Sequence, residues 1–116
     1  MTLSPESDSS LETFIKAVSE KKASDIVSLD MRELISIADT FIICTGNSNR
    51  HVTAIAESIH FNLKQQGIKP LRMEGLKEGH WVIIDYGDVV IHIFYEPVRK
   101  FYDIESLWAD AKKTFY

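Results

Sequence analysis

The sequence predicts an α/β (α+β) domain in which a mixed β-sheet of about five strands carries helices mainly on one face. Three observations carry that prediction. Two β-branched runs, Trp81 to Ile84 and Val89 to Phe94, are separated only by Asp85-Tyr86-Gly87-Asp88, turn-forming residues with a glycine available for positive φ, so they form a hairpin. Two further extended segments, Phe41 to Thr45 and Ile68 to Met73, bracket the clearest helical periodicity in the chain. That order makes a right-handed crossover between parallel strands. Finally, Val27, Leu29 and Met31 alternate with Ser28 and Asp30, the pattern of a strand with one buried face.

Taken in order, residues 1 to about 8 read as a disordered leader, and residues 9–116 as a single domain. The spacing of Ser9 and Glu12 is that of a capping box, so the first helix is expected to start there. Leu11, Phe14, Ile15 and Val18 form its apolar stripe, and Lys21 and Lys22 complement the negative end of its dipole. Arg32 to Asp39 reads as a connection, open to extension from either neighbouring strand. Phe41 to Thr45 is nearly continuous in apolar residues, which suits a strand covered on both faces. In the long helix, Val52, Ile55, Ala56, Ile59 and Leu63 hold the stripe, with Asn47 or Ser48 at its start and Gly67 at its stop. Pro97 closes the last hairpin strand, Val98 to Tyr102 forms a helical turn, and Asp103 caps a final helix whose stripe is Ile104, Leu107, Trp108 and Ala111.

At 116 residues the chain buries enough surface to fold as one unit without staples. No apolar run approaches the roughly 20 residues of a membrane span, and the acidic, polar start MTLSPESDSS is neither a secretory leader nor a transit peptide, so a cytoplasmic protein is expected. The single Cys44 lies within an apolar run, suits a reducing compartment, and has no partner for a disulfide. A net charge of −4 has the wrong sign for long-range attraction to nucleic acid phosphate, so little direct RNA contact is expected.

With a two-residue hairpin loop, whether Tyr86-Gly87 or Gly87-Asp88, strand parity sorts the hairpin into two faces. Val82, Ile84, Val89, Ile91 and Ile93 form the core face, while Trp81, Ile83, Asp85, Val90, His92 and Phe94 form a working surface. Trp81 follows a polar approach, Lys77-Glu78-Gly79-His80, that reads as flexible, and Tyr86 sits at the loop, so aromatic surface is expected near solvent. Large aromatics ringed by polar groups anchor protein interfaces, and Asp85 and Asp88 at the same end favour a basic partner. Chemistry is less well supported. Asp85, Asp88, His92 and His80 could approach one another, but the aspartates read more simply as a turn pair and the histidine as one satisfied by a carboxylate. The Gly46 to His51 junction has a glycine and a helix start, the elements of an anion site, without the repeated glycines and Lys-Ser/Thr pair of a P-loop. No G-x-S-x-G motif is present, and no cofactor or metal site is expected.

These residues carry a resemblance. The blocks Ala38-Asp39-Thr40-Phe41-Ile42-Ile43-Cys44-Thr45-Gly46, then Ser48, Arg50-His51-Val52 and Ala54-Ile55-Ala56, then Glu74-Gly75, the run Trp81 to Phe94, and Phe101-Tyr102 with Glu105 and Leu107-Trp108 resemble the ribosomal silencing factor family, also called Iojap or RsfS. The resemblance runs from about Leu11 to Ala111. It implies a fold related in topology to nucleotidyltransferases but without their activity, since no Asp-x-Asp pair stands on a strand here. It also implies binding to the large ribosomal subunit through its fourteenth protein (L-fourteen), steric blocking of the small subunit, and repression of translation under nutrient limitation. The residues onto which docking is carried are Trp81, Asp85, Tyr86, Asp88 and His92, with Glu74 and Tyr102 beside them. Two other readings accompany it: a nucleotide-binding or nucleotidyltransferase-like enzyme using the Gly46 to His51 junction, and a homodimer, compatible with the first, formed through exposed edges or aromatics.

Overall fold

The computed structural model describes the backbone of residues 5–116 and the side chains of residues 11–116. The elements are α1 (Pro5–Ser19), β1 (Ser24–Asp30), β2 (Thr40–Gly46), α2 (Asn49–Gln65), β3 (Arg72–Glu74), β4 (Trp81–Asp85), β5 (Val89–Tyr95), α3 (Glu96–Tyr102), α4 (Ile104–Leu107) and β6 (Lys112–Phe115). They build one six-stranded sheet in the order β3-β4-β5-β2-β1-β6. β2 and β5 pair in parallel, and the remaining neighbours are antiparallel. The mixed α+β sheet is therefore as the sequence predicts, with one strand more.

The crossover lands differently. Two antiparallel steps from β5 to β3 leave β3 running in the same direction as β2, as expected, but the hairpin β4–β5 lies between them. Long apolar strands gain most at the centre of a sheet, so β5, buried from Ile91 to Phe94, takes the place beside β2. The three-residue β3, with Arg72 and Glu74 exposed, is left at the edge.

One sheet face carries α1 and α2. Ser48 caps α2 by accepting from the His51 amide, and Val52, Ile55, Ala56, Ile59 and Leu63 are all buried. They meet Ile42, Cys44, Val82, Ile84, Ile91 and Ile93, and at about 1.5–3 kcal/mol for each large side chain this layer is the principal source of stability. The opposite face is covered more thinly. α3 and α4 bury none of their residues fully, and Val98, Ile104 and Trp108 only flank a small core of Val27, Leu29, Met31, Ile43, Phe94 and Ala111. On the β3–β4–β5 part of this side, Arg72 and Glu74 are exposed and Trp81, Ile83, Asp85 and Val90 are half-buried.

Several boundaries depart from expectation. α1 begins one turn before Ser9 and ends at Ser19, so Pro5 to Asp8 of the expected leader are helical, and Lys22 lies in the following turn with a φ of 60°. β1 is buried on both faces rather than one, because Ile26 packs in the core under α1 and α2, Val27 and Leu29 pack in the smaller core on the opposite face, and Ser28 bonds the Tyr116 hydroxyl at 3.0 Å. The final helix is a single turn, leaving Leu107 exposed, and Lys112 to Phe115 instead pair with β1. A one-turn helix cannot sustain itself, whereas the open β1 edge supplies a full ladder of partners. The approach to Trp81 is also tight rather than flexible. A Cβ on Gly79 would lie 2.4 Å from the Asn49 carbonyl oxygen, and one on Gly75, at φ +83°, 2.1 Å from that of Trp81. Only glycine fits either place, so this loop is pressed against both α2 and β4.

Candidate docking face

The hairpin loop is Gly87-Asp88, since the Tyr86 amide donates to the Val89 carbonyl at 2.9 Å and Asp85 pairs with Val90. Strand parity then places Trp81, Ile83, Asp85, Val90, His92 and Phe94 together on the thinly covered face. β3 adds Arg72, opposite Asp85, and Glu74, opposite Ile83. Ile83 and Val90 are half-buried and belong to neither core cluster.

Trp81 is the organising side chain of this face. Its ring stacks on Phe94 at 4.8 Å and meets Tyr102 at 5.0 Å, while its Nε1–H donates to His92 Nδ1 at 3.1 Å. Phe94 is fully buried and belongs to the core, whereas Trp81 is half-buried. Tyr102 and Phe101 are 54% and 80% exposed, which leaves an aromatic ledge in solvent beside Trp81. A groove of about 380 Å³ continues past that ledge between His80, Tyr95, Pro97, Val98, Phe101 and Tyr102.

Arg99 fixes α3 in this position, and nothing in the spacing of the sequence singles it out. Its Nε and Nη2 donate to Glu105 at 2.9 and 3.1 Å, and its Nη1 donates to Thr45 Oγ1 at 2.7 Å and to the Asp25 carbonyl at 2.8 Å. One guanidinium thereby ties α3 to α4, β1 and β2, and a fork of donors is the group able to do so. Phe101 and Arg72 are likewise surface features of this face that sequence reasoning left out of the docking set. The alternation of β3 placed Arg72 only once its register with β4 was known.

His92 is placed on the expected face, but beneath it. Packed among Trp81, Phe94 and Phe41, it is 6% exposed, and burial drives its pKa down to about 4, so the imidazole is neutral at ordinary pH. Accepting from Trp81 at Nδ1 leaves the proton on Nε2, which has no hydrogen-bond partner among the described residues. The partner of this histidine is thus an indole and not a carboxylate, and it orients Trp81 rather than meeting solvent.

Tyr86 requires a correction. It shares the parity of Val82 and Ile84, so it lies on the opposite, helix-covered side with its ring 5.1 Å from Phe14. Burial raises its pKa to about 12, and its hydroxyl has no partner among the described residues. Asp85 is held in place, accepting from the Gly87 amide at 2.8 Å and lying 3.5 Å from Arg72. Glu74, exposed at the sheet edge, is 3.6 Å from the same guanidinium. Asp88 is exposed at the hairpin tip, where its carbonyl accepts from the amides of Asp39 and Thr40. Trp81, His92 and Tyr102 therefore form one cluster, Glu74 and Asp85 an acidic flank, Asp88 the tip, and Tyr86 stands behind the sheet.

The junction of β2 and α2 is occupied by its own side chains. The Asn47 amide donates to His51 Nδ1 at 2.9 Å, the His51 amide to Ser48 Oγ at 3.0 Å, and His51 Nε2 donates to the Lys21 carbonyl at 2.7 Å. Two of the amides that an anion would need are thus spent on capping the helix and tying it to the α1–β1 turn. Cys44 is fully buried and its pKa is pushed up to about 12, which leaves an inert thiol. Among the described residues no group of three His, Cys, Asp or Glu side chains converges in a way that could hold a metal ion.

Residues 4–115 match the family described as RsfS, ribosomal silencing factor during starvation. The ribosomal silencing factor RsfS of Halalkalibacterium halodurans is 45% identical over 101 residues, covering 87% of this chain and 86% of that protein. The RsfS of Bacillus subtilis is 45% identical over 95 residues, covering 82% and 80%. A crystal structure of a protein from Chromobacterium violaceum is similar with a TM-score of 0.85 at 40% identity, over 93% of this chain and 90% of that one. A family match over nearly the whole length, two relatives of equal identity and a solved structure of the same topology agree: the chain belongs to the ribosomal silencing factor family, whose members regulate translation.

Proposed function

We propose that this protein lowers translation in the cytoplasm by docking on L-fourteen of the large ribosomal subunit, where it excludes the small subunit. The observation that carries the reading is the open sheet face centred on Trp81. A stacked, oriented aromatic beside an exposed Tyr102 and an acidic flank of Glu74 and Asp85 suits a basic protein surface. Net charge points the same way, because at −4 the molecule favours a basic protein over bare RNA phosphate. Steric exclusion needs only affinity and bulk, and makes and breaks no bond. This accords with a buried, inert Cys44 and a neutral His92 whose hydrogen bond is to an indole.

The test is subunit joining in a purified system. Separated subunits are mixed at a magnesium concentration that favours association, and the joined fraction is followed by gradient sedimentation with increasing amounts of the protein. Joined ribosomes should fall as the protein approaches stoichiometry with large subunits, and the protein should co-sediment with the large subunit. If joining is unchanged at a large excess, exclusion is not its mode of action.

A further inference from the structure

We propose that Arg72 is a built-in counter-cation: it occupies the carboxylate pair of the docking face in the free protein and is displaced there by a basic residue of the partner. The inference rests on the docking reading above and concerns how that face is tuned. Register places Arg72 across from Asp85 and Glu74 across from Ile83, so all three charged side chains project from the face that bears Trp81. The guanidinium lies 3.5 Å from Asp85 and 3.6 Å from Glu74, bridging both and longer than a charge-assisted hydrogen bond in either case. It is 68% exposed. A loose, solvent-screened bridge of this kind contributes little to folding, so it yields readily to a competitor.

The carboxylates differ in how they are held. Asp85 is anchored by the Gly87 amide and only 20% exposed, whereas Glu74 is 62% exposed and free to turn. An incoming Lys or Arg would thus meet one fixed acceptor and one adaptable acceptor, both screened beforehand by Arg72. Arg72 also places a positive charge where a basic partner must approach, which slows encounter and lowers affinity. Its removal should strengthen docking, the opposite of what loss of a contact residue does.

The test compares the unsubstituted protein, Arg72→Gln and Glu74→Gln for binding to purified L-fourteen, at about 50 mM and about 300 mM salt, since screening separates the charge effect from packing. Arg72→Gln should bind about fivefold tighter at low salt, with the advantage shrinking at high salt, and Glu74→Gln should bind more weakly. Thermal unfolding of Arg72→Gln should match that of the unsubstituted chain, because the bridge is exposed. Binding that Arg72→Gln weakens or leaves unchanged overturns the assignment while leaving the docking reading in place. Failure of the unsubstituted protein to bind L-fourteen overturns both.

Discussion

Trp81→Ala is expected to weaken docking about a hundredfold while the chain remains folded, an effect of the size that a central aromatic anchor carries. The indole supplies the area, and its neighbours determine its pose: Phe94 beneath it, Tyr102 beside it and His92 holding its N–H. A side chain already fixed in one rotamer loses little entropy on binding, so most of its contact area becomes affinity. The substitution also removes the stack on Phe94, which costs about 3 kcal/mol of stability, the low end for an aromatic because Trp81 is only half-buried. A fold of ordinary stability survives that loss. Trp81→Phe separates the two effects, since it keeps apolar area on Phe94 but cannot donate to His92, and it should bind within about tenfold of the parent. Calorimetric titration against isolated large subunits, with thermal melts of each variant, measures both quantities. A folded Trp81→Ala that docks with undiminished affinity would remove this residue from the interface.

Stability should fall with acid through His92, over a window that its displaced pKa defines. The ordinary value near 6.5 applies to the unfolded chain, and burial lowers it to about 4 in the folded one. Between those values the unfolded state takes up the proton and the folded state does not. The neutral buried imidazole therefore contributes its full stability above about pH 6.5, loses it progressively as pH falls towards 4, and changes little below that. The gap corresponds to about 3 kcal/mol, in a group that is almost wholly removed from solvent screening. Protonation of Nδ1 in the folded chain would also remove the acceptor for Trp81, so the indole should loosen only as pH reaches about 4 and below. Asp30, whose pKa Arg32 lowers through a direct hydrogen bond, loses stability at more acid pH and is common to both proteins compared. Chemical denaturation from pH 7 to 4 of the parent and of His92→Gln, which can accept from the indole but does not titrate, isolates the histidine. A parallel pH dependence in the two would show that His92 is not the titrating group.

The fold was legible wherever periodicity coincided with burial. The α2 stripe and the two hairpin strands appear where their apolar spacing put them, because these segments bury most of the apolar surface and nothing competes with them. Segments with weak stripes were decided by their surroundings. Lys112 to Phe115 had a helix-like stripe upstream but a vacant strand edge beside them, and the edge prevailed. The docking face was legible in its parity, which follows from a two-residue loop, and in Trp81. Tyr86 was misplaced because a residue beside a turn can face either way until its cross-strand partner, here Val89, is known. Arg99 and Arg72 were not legible, since their roles depend on groups up to 74 residues away or on the neighbour across a register that sequence does not specify.

Hydroxyl-radical footprinting of the chain bound to the large subunit distinguishes docking through the two faces, because accessible aromatic rings lie on both sides of the sheet. The exposed Phe101 and Tyr102 and the half-buried Trp81 mark one face, and Phe61, 62% exposed on α2, marks the other. Docking through the open face predicts strong protection of Trp81 and Tyr102 with Phe61 modified as in the free protein. Protection of Phe61 with Trp81 and Tyr102 unchanged would place the ribosome on the helical side of the sheet and contradict docking through Trp81.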